Sequence, residues 1–245
     1  MIQNIKYHIG KNLTFSQLKN RKFLRTEALK LRGEILDLGC GNGEYSFLMA
    51  ENKENKITAL DSSPELQGEI QKVLHDKKIF NISVAHGDAH HLPFKENMFD
   101  AIFCNTVLEH VENPQQVLSE LFRVLKQEGT AIISIPFLQE IHADPYDFQR
   151  YTPFGLKNIL ERQGFVVKKT HSDYGVLNTL EYLLLGGIVW RVRRGFWKNF
   201  PFGYLYAFIL GSLFLLFKIV HLLFYYLQKQ DEHFITQVTA IVRKK

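Results

Sequence analysis

Cysteine is nearly missing from this chain. Cys40 and Cys104 are its two, and both fall in or beside apolar stretches that read as core strands. A disulfide framework or a cysteine-based metal site needs more, so reduced, buried thiols are the expectation. Low-complexity tracts and internal repeats are also lacking, which leaves an ordinary globular composition. The opening MIQNIKYHIGKN holds no apolar h-region and so predicts no signal peptide. At 245 residues the chain can bury a full core, as one large domain or a domain with an appendage.

Acid is scarce in one part only. Residues 1–150 carry 17 Lys and Arg against 20 Asp and Glu, a net of −3, whereas residues 151–245 carry 13 against 5, a net of +8. The positive part is also the apolar part. Basic, aromatic and apolar residues together suit an anionic membrane surface better than nucleic acid, and no nucleic-acid partner is expected.

What is present is an alternation of short strands and helices. Residues 13–31 read as a basic amphipathic helix. Glu34–Leu38, Lys56–Leu60, Asn81–Ala85, Phe99–Asn105, Thr130–Ile135 and Gly164–Thr170 read as six strands, and His233–Val242 as the last. Ser63-Pro64, Asn113-Pro114 and Thr152-Pro153 pair a capping side chain with proline in the first turn of a helix. Gly129 is expected to stop the helix after Asn113. Such alternation calls for an α/β fold, with a mostly parallel sheet covered on both faces.

The sharpest motif, Asp37-Leu-Gly39-Cys40-Gly41-Asn-Gly43, directly follows the first strand. Glycines there let the backbone turn tightly and come close to a ligand. A dinucleotide site needs G-x-G-x-x-G, and the third glycine position holds Glu44. An acid at that helix start repels a pyrophosphate but suits a cationic, phosphate-free cofactor. Asp61 ends the second strand, where a carboxylate can hold ribose hydroxyls, with Ser62 beside it. Gly87-Asp88-Ala89 follows the third strand, and an acid there can take a hydrogen bond from an adenine amino group. In a doubly wound sheet these strand ends share one edge, where ligands bind.

The stretches DLGCGNG, ALDSSPEL, GDAHHLPFKENMFDAIFCNTVLEHV and ELFRVLKQEGTAIISIP resemble, in order and spacing, the successive motifs of class I S-adenosylmethionine-dependent methyltransferases, specifically the type-11 methyltransferase domain. The resemblance covers roughly residues 30–170 and resumes at the final strand. It implies a Rossmann-like seven-stranded sheet with an antiparallel last strand, and S-adenosylmethionine as cofactor. It further implies that Asp37, Gly39 and Gly41 line the methionine end, that Asp61 holds the ribose, that Asp88 and the Ala89 amide face adenine, and that Asn105 lies beside the methyl group. Glu109 and His110 of LEHV read as packing and helix-start residues.

The family core leaves residues 176–230 unexplained. Val176–Trp190 is apolar apart from Asn178, Thr179 and Glu181; Arg191–Lys198 is basic and aromatic; Asn199–Phe217 carries no charge. Both flanking strands belong to one sheet, so the segment must return to the side it left. The first apolar run is short for a crossing, and a hairpin would place the basic turn on the far side of the membrane. A monotopic or re-entrant insertion at the cytoplasmic face is therefore expected, with Arg191, Arg193, Arg194 and Lys198 on anionic headgroups. The alternatives are a soluble helical pair or a dimer interface. The division expected is a lead-in at 1–32, a methyltransferase core at 33–175, an apolar insertion at 176–230 and the last strand at 231–245. The sixth strand should exit at the cofactor edge, which points to a membrane-borne or lipid-linked acceptor.

The loop after the fifth strand gathers His142, Asp144, Asp147 and Arg150 with two tyrosines. His142 is the candidate general base, Asp144 or Asp147 its orienting acid, and Arg150 a clamp for an anionic substrate group. Equally, Asp144-Pro145 can form a turn and Asp147–Arg150 a local ion pair. No metal site is expected. The leading reading is methyl transfer, preferably to oxygen, on a quinone precursor, polyprenyl-linked glycan or lipid headgroup. A nicotinamide-dependent oxidoreductase and a non-catalytic membrane adaptor are the other readings.

Overall fold

A computed structural model describes residues 15–139, 141–173, 175–181 and 234–245, with eleven further positions between 183 and 220. The chain divides into two compact units. The larger takes Phe23–Phe137, Ile141–His171 and Gln237–Lys245.

Along the chain, α1 (Phe15–Ala28) precedes β1 (Glu34–Leu38), α2 (Glu44–Met49), β2 (Lys56–Asp61), α3 (Pro64–Lys77) and β3 (Ile82–His86). Then come β4 (Phe99–Asn105), a short 3-10 turn at Leu108–His110, α4 (Pro114–Val124) and β5 (Leu125–Pro136). α5 (Pro153–Arg162), β6 (Phe165–Ser172) and β7 (Gln237–Lys244) complete the series. The seven strands form one sheet in the order β3-β2-β1-β4-β5-β7-β6. β3, β2, β1, β4 and β5 run parallel, and β7 runs antiparallel to β5. This is the α/β, Rossmann-like sheet with a reversed last strand that the motif order implies.

The central strands are apolar on both faces because helices cover both. Ile35, Leu36 and Leu38 of β1 and Ile102, Phe103 and Cys104 of β4 are all but fully buried. Leu24 and Ala28 of α1, Leu48 and Met49 of α2 and Ile70 of α3 join Ile35, Ile57, Ala101 and Phe103 in one cluster. α4 buries Val117, Leu118, Leu121 and Val124, a stripe at helical spacing. Each such side chain contributes about 1.5–3 kcal/mol by leaving water. Ser63, Asn113 and Thr152 cap α3, α4 and α5 as expected, each accepting a backbone N–H in the first turn from Leu66, Gln116 and Gly155.

Two strand starts differ from expectation by four residues or more. β5 begins at Leu125, not Thr130: Leu125 is fully buried and pairs with Phe99, and Lys126 reaches Asp100 at 2.8 Å. The Glu128-Gly129 pair is a kink inside the strand, not a helix stop. Glu128 has a φ of 61°, and a Cβ on Gly129 would lie 2.7 Å from the Lys126 carbonyl oxygen. β7 begins at Gln237, not His233. Thr236 instead gives its N–H (3.0 Å) and its hydroxyl (2.5 Å) to the Asp173 carboxylate.

The smaller unit comprises Met1–Lys22, Leu138–Glu140 and Ser172–Thr236. Within it Asp173 and Thr236 form the buried pair just described, and Gly175 N–H bonds the Phe234 carbonyl before a helical stretch at 176–181. The described positions of 208–220 are helical, and Phe208, Ile209, Leu213, Leu215, Leu216, Ile219 and Val220 are exposed. Most of the expected insertion, including its basic turn at 191–198, lies outside the described residues. Among the described residues no helix is long and apolar enough to cross a membrane.

Candidate functional site

Parallel strands put their C-terminal ends on one edge, and a cavity of about 430 Å³ opens there, a size suited to a small ligand. Its lining comes from Gly39 and Gly41 after β1, Asp61 and Ser62 at the end of β2, and Asp88, Ala89 and His90 after β3. Thr106, Val107, His110 and Val111 follow β4 and close the other side.

Two glycines in the loop after β1 hold left-handed backbone conformations that other residues rarely adopt. Gly39 sits at φ 68°, and a Cβ there would come 2.3 Å from Val107 Cγ2. Gly41, at φ 54°, would meet nothing within 4 Å, so its open side offers bare backbone. Asp61 holds this loop in place: Oδ2 accepts the Gly41 N–H and Oδ1 the Ser63 N–H, each at 2.9 Å. One carboxylate thereby fixes both the glycine loop and the start of α3. A carboxylate has about four acceptor positions, so two remain for ligand hydroxyls.

Asp37 lies behind the loop, buried, and its Oδ2 accepts the Ser46 hydroxyl at 2.5 Å. Burial pushes its pKa up to about 7, opposed by the Ser46 hydrogen bond and reinforced by the charge on Asp61. Cys40, Gly43 and Asn105, like Asp37, lie outside the cavity lining. Cys40 and Cys104 are free, buried thiols whose pKa values burial drives up. Gly43 starts α2 in a left-handed conformation, and Asn105 Oδ1 accepts from Gln237 Nε2 at 3.3 Å. Asp88 accepts both the His90 backbone N–H (2.9 Å) and His90 Nδ1 (2.8 Å), and the backbone bond leads in holding its pKa low.

The loop at 141–151 packs on the 3-10 turn. Phe148 N–H bonds the Glu109 carbonyl at 2.8 Å, and Gln149 Nε2 bonds the Val111 carbonyl at 3.2 Å. Asp147 is the organiser. Its carboxylate takes a two-pronged bond from Arg150 at 2.5 and 2.8 Å and the His142 N–H at 3.0 Å, with His142 Nδ1 3.4 Å away. The Arg150 guanidinium holds the Asp147 pKa down at about 2. The structure thus brings His142, Asp147 and Arg150 together and commits Arg150 to Asp147, while Asp144 is exposed.

Beside this group stands a residue that sequence reasoning set aside. Glu109 is 0% exposed, and among the described residues neither carboxylate oxygen has a hydrogen-bond partner. Burial raises its pKa to about 8. His110 Nε2 lies 3.7 Å from Glu109 Oε1, and the His110 ring meets the His142 ring edge-on at 4.8 Å. Its neighbours Leu108 and Val111 disguise Glu109 as a helix-start residue. An acid inside an apolar stretch just after a strand end was the signal.

The cavity suits S-adenosylmethionine: its charged lining is acidic, a glycine presents bare backbone, and Glu44 occupies the first turn of α2, where a pyrophosphate would need to sit. Comparison with known proteins agrees. A demethylmenaquinone methyltransferase of Listeria welshimeri is 35% identical over 112 residues, 43% of this chain and 48% of that protein. A tRNA U34 carboxymethyltransferase of Campylobacter curvus is 30% identical over 157 residues, 62% of this chain and 52% of that protein. The chain thus matches about half the length of these relatives. Among solved structures, the [4+2]-cyclase SpnF superposes with a TM-score of 0.65 at 18% identity, over 96% of this chain and 83% of that one, which speaks to the fold alone. The methyltransferase-domain family model matches residues 36–133, the span from β1 into β5 that carries the glycine loop, Asp61 and Asp88. Over that span the chain is similar to the type-11 methyltransferase domain, the match that the cavity lining and the sheet order accompany.

Proposed function

We propose that this protein transfers a methyl group from S-adenosylmethionine to oxygen on an amphiphilic, membrane-borne acceptor. The observation that carries the transfer is the cavity at the β1–β4 edge, with Asp61 free to accept further hydrogen bonds and the Glu109–His110–His142 cluster near its His110 wall. The bound cofactor supplies an electrophilic methyl carbon on a sulfonium. The protein's own work is to hold the acceptor oxygen in line with that carbon, exclude water and accept the acceptor's proton. Asp61 and the Ala89 side of the cavity hold the nucleoside end. Asp147, locked by Arg150, orients His142 from behind, and His142 is the group proposed to receive the proton. Arg150, committed to Asp147, serves as a brace in this reading.

A membrane-borne acceptor is supported by the uncharged run at 199–217, the basic turn before it, and the exposed apolar side chains at the described positions of 208–220. Among the acceptor classes of quinone precursor, polyprenyl-linked glycan and lipid headgroup, the relatives named as demethylmenaquinone methyltransferases favour the first. The test is incubation with methyl-labelled cofactor and a total membrane lipid extract, with bulk tRNA as a second acceptor. Label in an extractable lipid supports the proposal. Label in tRNA alone, or in neither, overturns it.

A further inference from the structure

His110 lines the cavity and Glu109 sits directly behind it. The His110 Nδ1 atom is 2.6 Å from the Tyr146 carbonyl oxygen. A carbonyl only accepts, so Nδ1 carries the proton and the lone pair of a neutral ring is at Nε2. That nitrogen faces Glu109 Oε1 at 3.7 Å. With Glu109 ionised, two electron-rich atoms would confront each other, and among the described residues neither Glu109 oxygen has a hydrogen-bond donor. A buried carboxyl without a partner stays protonated unless something positive joins it. His142 completes the group: one ligand atom from each of Glu109, His110 and His142 lies within 4.8 Å of the other two.

We propose that Glu109, His110 and His142 bind a divalent transition-metal ion of the zinc, cobalt or iron(II) class. Two imidazoles and one carboxylate are the donor set such ions favour, with positions left over for water or substrate oxygen. The surroundings match as well. Metal-ligating histidines commonly give their other N–H to a carbonyl or stand against a carboxylate. The Tyr146 carbonyl does the first for His110, and Asp147 Oδ2, 3.4 Å from His142 Nδ1, does the second. Metal–nitrogen bonds of about 2.0–2.1 Å at tetrahedral angles set ligand atoms roughly 3.3 Å apart. Closing from 4.8 Å is within the reach of side-chain rotation, since His110 and His142 are both partly exposed. A His142 nitrogen that ligates an ion cannot also receive a proton, so in the ion-loaded protein the ion, not His142, would favour the deprotonated acceptor oxygen of the methyl-transfer reading. The site itself rests on geometry alone.

The experiment uses the full-length protein, stripped with chelator and titrated with cobalt(II) chloride alone. Calorimetry gives the affinity, and the visible absorption of cobalt reports histidine ligation. The expectation is stoichiometric binding, displaced by zinc, and weakened at least about tenfold by Glu109→Gln and by His142→Ala, no less than the loss of an outer-shell partner causes. Circular dichroism checks the fold of each variant, and His142, partly exposed, is the safer of the two. Absence of cobalt binding to the folded wild-type protein, or binding unchanged in folded His142→Ala, overturns the proposal. Because no turnover is measured, failure here leaves the methyl-transfer reading to its own test.

Discussion

Asp61 spends half of its hydrogen-bonding capacity on Gly41 and Ser63 before any ligand arrives. Asp61→Ala therefore removes a ribose contact and a loop anchor together. Cofactor affinity measured by calorimetry should fall by about 1–3 kcal/mol, the scale of a lost charged hydrogen bond, and thermal stability should fall with it because two N–H groups lose their acceptor. Unchanged affinity in the folded variant would remove Asp61 from the ribose site. Asp37 makes a prediction of a different kind. Its folded pKa of about 7 stands above the ordinary 3.8, so the folded state keeps a proton that the unfolded chain gives up. The contribution to stability consequently falls as pH rises from about 4 to about 7 and stays low above that. Asp37→Asn should flatten this part of the pH dependence in urea melts, and a slope identical to the wild type's would assign it to another group. Both acids announce themselves in sequence by position, but their duties do not. That Asp61 ties down two backbone N–H groups depends on how the loop after β1 curls, and that Asp37 is buried beneath the loop depends on Ser46 arriving from α2.

At the level of elements, the loop after β3 is held by α4. Arg123 donates to the Leu92 carbonyl (3.0 Å), the Phe94 carbonyl (2.8 Å) and both Glu120 oxygens, while Glu120 accepts the Leu92 N–H. This loop follows Asp88, Ala89 and His90, so the clamp stiffens one wall of the cavity. Arg123→Met should cost on the order of 2 kcal/mol for the lost charge-assisted bonds, and hydrogen exchange should speed up across 90–97. Exchange unchanged there would show that the loop holds itself. Which elements exist was legible, because capping side chains followed by proline, and short apolar runs, are local signals. Strand limits were less so. Leu125–Lys126 reads as the end of α4 until Phe99 and Asp100 are known to lie alongside, and 233–236 reads as strand until Asp173 is seen to take Thr236. Across the site, Gly39, Gly41, Asp61, Ser62, Asp88 and Ala89 were legible from strand-end position. The Glu109–His110–His142 group was not, because it joins residues more than thirty positions apart in sequence.

For the molecule as a whole, the proposed membrane contact has its own test. Replacing Arg191, Arg193, Arg194 and Lys198 by Gln should remove about 1 kcal/mol of attraction to anionic vesicles per charge, read by co-sedimentation at low salt. High salt should reproduce that loss only in part, because apolar insertion is not screened. A full-length protein that ignores anionic vesicles would end the membrane reading and leave the methyltransferase domain as it is.

The strand order has a mechanical consequence. β7 comes last in the chain yet lies between β5 and β6, so the segment joining β6 to β7 has both ends stitched into adjacent ladders of one sheet. A single protease cut within that segment breaks the chain without releasing either piece. The short C-terminal fragment stays bound through the seven register pairs from Thr130↔Arg243 to Pro136↔Gln237. Nicked protein should run as two bands in denaturing gels and as one species in native ones. The same stitching means that a chain split at that segment could be supplied as two separate polypeptides and reassemble.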